Sequence, residues 1–129
     1  MATRTIDANN LETTVRDNSI VILDFWASWC GPCRQFAPVF EQASVKHEDI
    51  VFGKVDTQDQ QDLAAQLQIQ AIPTLMVFRD GILLYREAGA LPPPAFEDLI
   101  TQVKGLDMAQ VRKDIAEQQA QGGQGDHEA

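Results

Sequence analysis

The sequence predicts an α/β fold in which a central mixed β-sheet is flanked by helices on both faces. Apolar runs rich in β-branched and aromatic residues alternate with segments of helical periodicity between residues 20 and 69, which indicates a β-α-β-α series with parallel strands. Two further strand-like runs follow one another across Asp80-Gly81, a strong signal for a hairpin. Antiparallel strands are therefore expected beside the parallel ones.

The first third of the chain predicts a helix, a strand and a second helix. Leu11 and Val15, four residues apart, indicate a short first helix. The run SIVILDFWA is apolar nearly throughout, as expected of a central strand that is covered on both faces. A long amphipathic helix runs from Cys33 to Lys46, and Pro38 is expected to kink it. Caps for the first helix are available at Asp7, Asn9 and Asn10, and the long helix takes its apolar spacing from Phe36, Phe40 and Ala43.

The next part of the chain supplies the other strands and two more helices. IVFGKVD is a strand candidate, and DLAAQLQI places Leu63 and Leu67 on one side of a short helix. The runs TLMVFR and ILLYREAG form the two strands of the hairpin. A further helix is predicted behind PPP, and it closes the domain near Gly105. Its core-facing stripe consists of Phe96, Leu99, Ile100 and Val103.

We expect residues 1–106 to form one domain and residues 107–129 to form a C-terminal extension. Met108, Val111 and Ile115 give the extension a thin apolar stripe, which predicts a short helix with a weak apolar face. The final GGQGDHEA is expected to be disordered. The extension has three open interpretations, namely a packed extra helix, a partner-binding segment, or a disordered and inert segment. We favour an inert or weakly helical extension.

Charge and hydropathy exclude several classes of partner. The net charge of -9, from 19 acidic and 10 basic residues, opposes binding to nucleic acid or to anionic lipid. No apolar run approaches the roughly 18 to 20 residues that cross a bilayer. The opening MATRTIDANN has neither a secretory nor a transit pattern. We therefore expect a cytoplasmic protein with no nucleic-acid or membrane partner.

Cys30 and Cys33 are the only cysteines of the chain, and three uses of the pair can be compared. Zinc needs about four ligands, whereas His47 lies in a predicted helix and His127 in the tail, so no metal site is expected. A structural disulfide is a poor interpretation because closing a four-residue loop removes little chain entropy. Redox chemistry remains the favoured use.

The local geometry expected around the two cysteines suits redox chemistry. Residues three apart at a helix start lie on one side, with about 5 Å between Cα atoms, as a disulfide requires. Pro32 suits a first helical turn, and Gly31 allows close approach of a partner chain. Unpaired amides at the helix start stabilise a thiolate, so Cys30 is predicted to attack first and Cys33 to resolve.

The run LDFWASWCGPCR, in which WCGPC follows a hydrophobic strand, resembles the thioredoxin family. Further resemblances lie in register at FGKVD with Lys54, at AIPT with Pro73, at the DG of the hairpin, and at AGAL with Gly89. The resemblance extends from about Asp7 to Gly105. It implies the thioredoxin fold, protein disulfides as substrates, and an NADPH-dependent thioredoxin reductase that recharges the dithiol.

Asp24 and Lys54 each have two interpretations. Asp24 is either a strand-end acid facing water or a desolvated acid whose raised pKa lets it take the proton from Cys33. The resemblance favours the second, because it implies a buried proton acceptor at this place. Lys54 is either a solvated strand charge or a neighbour of Asp24 that modulates its protonation, and we assign it a secondary role.

The remaining site residues are predicted to recognise substrate. Trp29 is expected to offer a contact surface beside the nucleophile, with Trp26 as the more structural tryptophan. The resemblance implies a cis bond between Ile72 and Pro73 against the dithiol, which leaves the backbone free to pair with an extended substrate segment. Gly89 either ends a strand or, as the resemblance implies, lies beside the dithiol where a side chain would obstruct partners.

The sequence thus predicts a general protein-disulfide reductant, an electron carrier that works by dithiol-disulfide exchange as a monomer and binds no cofactor. Arg34 stands where many thioredoxins have lysine, which keeps the positive charge and is expected to alter partner contacts only. The alternative is a non-redox binding or stabilising module on the same fold. A dithiol oxidase or isomerase is a closer rival, but such relatives usually carry other spacer residues than Gly31-Pro32.

Overall fold

A computed structural model describes the backbone of residues 2–126 and the side chains of residues 2–121. Within that part of the chain there are five strands and five helices. The strands are β1 (Thr3–Thr5), β2 (Ile20–Trp26), β3 (Val51–Asp56), β4 (Thr74–Arg79) and β5 (Ile82–Ala88). The helices are α1 (Leu11–Asp17), α2 (Gly31–Lys46), α3 (Gln61–Gln66), α4 (Pro93–Lys104) and α5 (Met108–Asp126).

All five strands form one mixed sheet in the order β1-β3-β2-β4-β5. The pairs β1–β3 and β3–β2 are parallel, whereas β4 pairs antiparallel with both β2 and β5. The predicted mixed sheet is confirmed. β1 is an addition, because the sequence pattern gave no sign of a strand before α1.

The chain divides into two compact units, residues 1–97 and 98–129, and the boundary falls inside α4. In the first unit, one face of the sheet is covered by α1 and α3. Leu11 and Val15 of α1 and Leu67 after α3 pack against a buried cluster on this face. The cluster comprises Ile6, Val21, Leu23, Phe25, Val51, Val55, Leu63 and Met76.

The opposite face of the sheet is covered by α2 and by the start of α4. One aromatic cluster lies here, in which contacting rings have centroid distances of 5.3–6.3 Å. Its members are Phe36 and Phe40 of α2, Phe52 of β3 and Phe96 of α4. All four phenylalanines are buried. Helices therefore lie on both faces of the sheet, as predicted.

Turn and cap positions account for the ends of two elements. Asp80 and Gly81, between β4 and β5, both have positive φ values of 54° and 79°. This backbone matches the right-handed twist of a two-residue hairpin, so the predicted hairpin is confirmed.

Before α1, the Oδ1 atom of Asp7 accepts the backbone amides of Asn9 and Asn10, while Asn10 makes no side-chain cap bond to the helix.

The second unit contains the rest of α4 and the whole of α5. The Asp107 carboxylate accepts the backbone amide of Gln110 at 3.2 Å, which satisfies an amide in the first turn of α5. The helical backbone continues to Asp126, into the GGQGDHEA stretch for which the composition predicts disorder. The rest of that prediction concerns residues 127–129, which lie outside the described part of the chain. No helix in the described range is long and apolar enough to cross a membrane.

Candidate active site

The two cysteines lie at the start of α2, directly after the loop that leaves the central strand β2. Cys30 occupies the N-cap position and Cys33 lies one turn further on, with Pro32 in the first turn between them. Their Sγ atoms form a disulfide, and their Cα atoms are 5.2 Å apart. The predicted geometry of a pair that opens and closes with little backbone movement is therefore present.

The helix start also places a hydrogen-bond donor on the first sulfur. The backbone amide of Cys33 lies 3.3 Å from Cys30 Sγ and donates to it. This amide is one of those that have no carbonyl partner within the helix. In the reduced protein the same donor, with the positive end of the helix dipole, would favour a thiolate on Cys30.

Asp24 lies in the middle of β2 and is almost completely buried, at 1% exposure. Its side chain is on the face of the sheet that α2 covers, because Leu23 and Phe25 on either side belong to the cluster on the opposite face. Neither carboxylate oxygen has a hydrogen-bond partner among the described residues. Burial raises the pKa of Asp24 from 3.8 to about 7, and the charge of Lys54 opposes part of that rise.

Lys54 is placed opposite Asp24 by the parallel pairing of β2 with β3. Its ammonium group lies 4.8 Å from the ring centroid of Trp26, over the indole face. A cation in this position is attracted by the ring quadrupole. Lys54 is thus a cation on the strand beside Asp24, and its side chain lies against an aromatic ring.

A second loop, directly before β4, lies beside the dithiol because β4 pairs antiparallel with β2. The Ile72–Pro73 bond is cis, as the resemblance implied, and the carbonyl oxygen of Ile72 lies 3.7 Å from Cys30 Sγ. Gly89, with a φ of 113°, follows β5 and donates its amide to the carbonyl of Pro73 at 2.8 Å. A side chain at residue 89 would be strained at this φ, so glycine is required by the backbone itself.

An exposed rim surrounds the buried sulfurs. Trp29 is 64% exposed, whereas Cys30 and Cys33 are 5% and 3% exposed. Pro32 is exposed, and a Cβ atom on Gly31 would meet no atom within 4 Å. These residues together present a surface on which a partner chain can approach the dithiol.

Two contacts of the site have no local signal in the sequence. The cation of Lys54 over Trp26 depends on which strands are neighbours, and that is a property of the whole sheet. The guanidinium of Arg34 donates to the carbonyl oxygen of Ser28 at 2.9 Å, six residues back along the chain.

Within the described residues there is no group of three or more histidine, cysteine or acidic side chains that could hold a metal ion.

Comparisons with known proteins agree with this geometry. A family model described as Thioredoxin matches residues 2–102. The chain is 53% identical over 114 residues to "Putative thioredoxin 2" of Streptomyces coelicolor, an alignment that covers 88% of this chain and 85% of the relative. It is 37% identical over 99 residues to a thioredoxin of Mycoplasma genitalium, which covers 77% and 97%.

The solved structures include a mutant thioredoxin from Halobacterium salinarum with a similar fold. It has a TM-score of 0.74 and 31% sequence identity to this chain. The match covers 81% of this chain and 92% of that one.

Proposed function

The chain belongs to the thioredoxin family and is a thiol-disulfide oxidoreductase, and from this premise we propose that it is a general reductant of protein disulfides. In this proposal an NADPH-dependent thioredoxin reductase returns the Cys30–Cys33 disulfide to the dithiol. The reduced protein then passes two electrons to a disulfide of another protein. We further propose that it works as a monomer in the cytoplasm.

The first exchange belongs to Cys30. Its thiolate attacks one sulfur of the substrate disulfide, a mixed disulfide forms, and the other substrate sulfur leaves as a thiolate. The position of Cys30 supports this role, because its sulfur accepts the amide of Cys33 and the residue directly follows the exposed Trp29. The position of Cys33, one turn further into the helix, suits a thiol that acts second.

The second exchange needs a base. Cys33 attacks Cys30 Sγ, the intramolecular disulfide forms, and the substrate leaves with both of its sulfurs reduced. We assign to Asp24 the role of accepting the proton of Cys33 in this step. The pKa of about 7 supports the assignment, because a general base works best when its pKa is near the working pH.

Substrate is proposed to bind along the loop that contains Ile72 and Pro73. An extended segment of the partner would pair with the backbone before Pro73, whose neighbour Gly89 leaves space for it. The short distance between the Ile72 carbonyl and Cys30 Sγ supports this proposal, because backbone pairing there would bring a substrate sulfur to the nucleophile. Trp29 would add an exposed apolar contact.

The observation that carries the proposal is a Cys-X-X-Cys disulfide at the start of α2, the helix that covers the sheet face of the buried Asp24 carboxyl, which has no hydrogen-bond partner among the described residues. The test is a coupled assay in which NADPH consumption is followed with a protein disulfide and a panel of thioredoxin reductases. Wild type is expected to turn over. Cys30→Ser should be inactive without forming a mixed disulfide, and Cys33→Ser should accumulate one.

The result that would contradict the proposal is an absence of wild-type turnover with every reductase. The non-redox alternative has its own test, in which both cysteines are replaced by serine. Full biological function of that double variant would show that the fold, and not the dithiol, is what the protein supplies.

A further inference from the structure

The side chain of Arg34 bends back over the active-site loop. Its Nη1 atom donates to the carbonyl oxygen of Ser28 at 2.9 Å, although both residues are exposed. The backbone amide of Arg34 donates to the carbonyl of Cys30 at 3.1 Å in the first turn of α2. One residue therefore holds the carbonyl groups on both sides of Trp29.

The loop between β2 and α2 makes few other hydrogen bonds with the described residues. Ala27 is buried and accepts the amide of Cys30 at 3.2 Å, which closes the turn at its base. Ser28 and Trp29 lie outside that turn and are exposed. Within the described part of the chain, the hydrogen bond from Arg34 is thus the contact that fixes the outer part of the loop, which carries the exposed Trp29.

We propose that Arg34 is a positioning residue that orients Trp29 for the docking of protein substrates by bracing the carbonyl of Ser28. The proposal rests on the reductase function proposed above, since docking matters only for an exchange with another protein. Arg34 does not take part in the exchange itself. It acts through the loop, and its effect is therefore expected in KM and not in kcat.

A lysine at residue 34 would keep the positive charge but lose the hydrogen bond that the guanidinium makes to the Ser28 carbonyl. The guanidinium nitrogen of arginine lies one covalent bond further from Cα than the ammonium of lysine, and its planar group fixes the direction of the hydrogen bond. The contact to the Ser28 carbonyl, six residues back, is made by Nη1, a nitrogen at the far end of the guanidinium group. Arg34→Lys consequently separates position from charge, and Arg34→Met removes both.

Two measurements test the proposal in the full chain. The first is 15N relaxation of the two tryptophan indole groups, in which Trp26 serves as an internal control in the same spectrum. The second is steady-state reduction of a protein disulfide compared with a small aromatic disulfide that needs no docking surface. Arg16→Lys is the matched control, because Arg16 is an exposed arginine on α1 that pairs with Asp17.

In Arg34→Lys we expect the order parameter of the Trp29 indole to fall while that of Trp26 stays unchanged. The KM for the protein disulfide should rise roughly threefold to tenfold, which is the range expected for the net contribution of one ordinary hydrogen bond, because water screens the charge of a donor as exposed as Arg34. The kcat and the rate with the small disulfide should stay within about twofold of wild type, and Arg16→Lys should resemble wild type throughout.

The proposal is wrong if either the Trp29 order parameter or the KM is unchanged in Arg34→Lys. A rise in KM that occurs only in Arg34→Met also overturns it, because substrate docking would then depend on the positive charge and not on the hydrogen bond to the Ser28 carbonyl. If wild type reduces no protein disulfide, the proposed function fails instead. The relaxation data still decide whether Arg34 holds the loop.

Discussion

Replacing Asp24 by asparagine should stabilise the oxidised protein at neutral and alkaline pH. Asp24 is buried without a hydrogen-bond partner among the described residues, so its ionised form is disfavoured in the folded state. Asparagine has nearly the same shape and cannot ionise. The variant therefore removes the penalty of a buried charge and leaves the surrounding packing almost unchanged.

The size of the effect follows from the pKa of Asp24, which burial raises from 3.8 to about 7 against the opposing charge of Lys54. Multiplying that difference by about 1.4 kcal/mol for each pH unit gives roughly 4 kcal/mol. This is the amount by which ionised Asp24 lowers the free energy of unfolding above pH 7. Asp24→Asn should gain most of it, less any difference between a buried amide and a buried neutral carboxyl.

The sign of the pH dependence is set by which state, folded or unfolded, binds the proton of Asp24 more tightly. Below pH 4 both the folded and the unfolded chain keep the proton of Asp24, so the carboxyl is neutral and the penalty is absent. Between about pH 4 and pH 7 only the unfolded chain releases it, and wild-type stability declines as the pH rises. The two proteins should therefore have similar stability near pH 4 and diverge up to pH 7.

The assay is urea unfolding of the oxidised proteins, followed by circular dichroism at several pH values. The oxidised form is used because disulfide-bonded cysteines do not titrate. Asp59→Asn, at an exposed position after β3, controls for the loss of one surface charge. A stability difference between Asp24→Asn and wild type that is the same at pH 4 and pH 8 would show that ionised Asp24 does not destabilise the folded protein.

Three further predictions concern kinetics and packing. Asp24→Asn should form the mixed disulfide at the wild-type rate and resolve it more slowly in rapid-quench experiments, and an unchanged resolution rate across the pH profile would exclude Asp24 as the base. Gly53→Ala should lose about 1 to 3 kcal/mol in urea unfolding, because the added methyl would lie 2.5 Å from a side-chain carbon of Ile6. Gly31→Ala is its control, and equal losses in the two variants would contradict the packing argument, since residue 31 has open space. Phe40→Ala should lose about 3 to 5 kcal/mol in the same measurement, because its buried ring contacts three others, and a loss below 1 kcal/mol would be inconsistent with that cluster.

Strong local periodicity explains which parts of the fold could be predicted from the sequence. The central strand, the long helix and the hairpin all carry patterns that depend on neighbouring residues alone. β1 carries none, because it has three residues, two of them exposed, and its position is set by pairing with β3. The length of α5 could not be predicted from periodicity either, since its apolar stripe ends at Ile115 while the helix continues to Asp126.

In the candidate site, too, the features that depend on neighbouring residues could be predicted, whereas those that depend on the whole fold could not. The spacing of Cys30 and Cys33 predicts their geometry, because one helical turn fixes it. The apolar run around Asp24 allowed burial but left it undecided, and only the assembled sheet with its covering helices removes the carboxyl from water. The place of Ile72 beside Cys30 spans forty-two residues of sequence and came from family resemblance, since no local rule brings those segments together.

Two opposing effects set the proton affinity of Asp24, and the position of Lys54 decides their balance. Burial alone would raise the pKa of the carboxyl further, whereas a hydrogen-bonded ion pair with Lys54 would lower it and leave a weak base. Neither oxygen of Asp24 has such a partner among the described residues, and the ammonium of Lys54 lies over the Trp26 ring instead. Lys54 therefore acts on Asp24 through space and offsets only part of the desolvation. In the proposed second exchange, this arrangement gives the carboxyl an affinity for the Cys33 proton that neither burial nor an ion pair would give by itself.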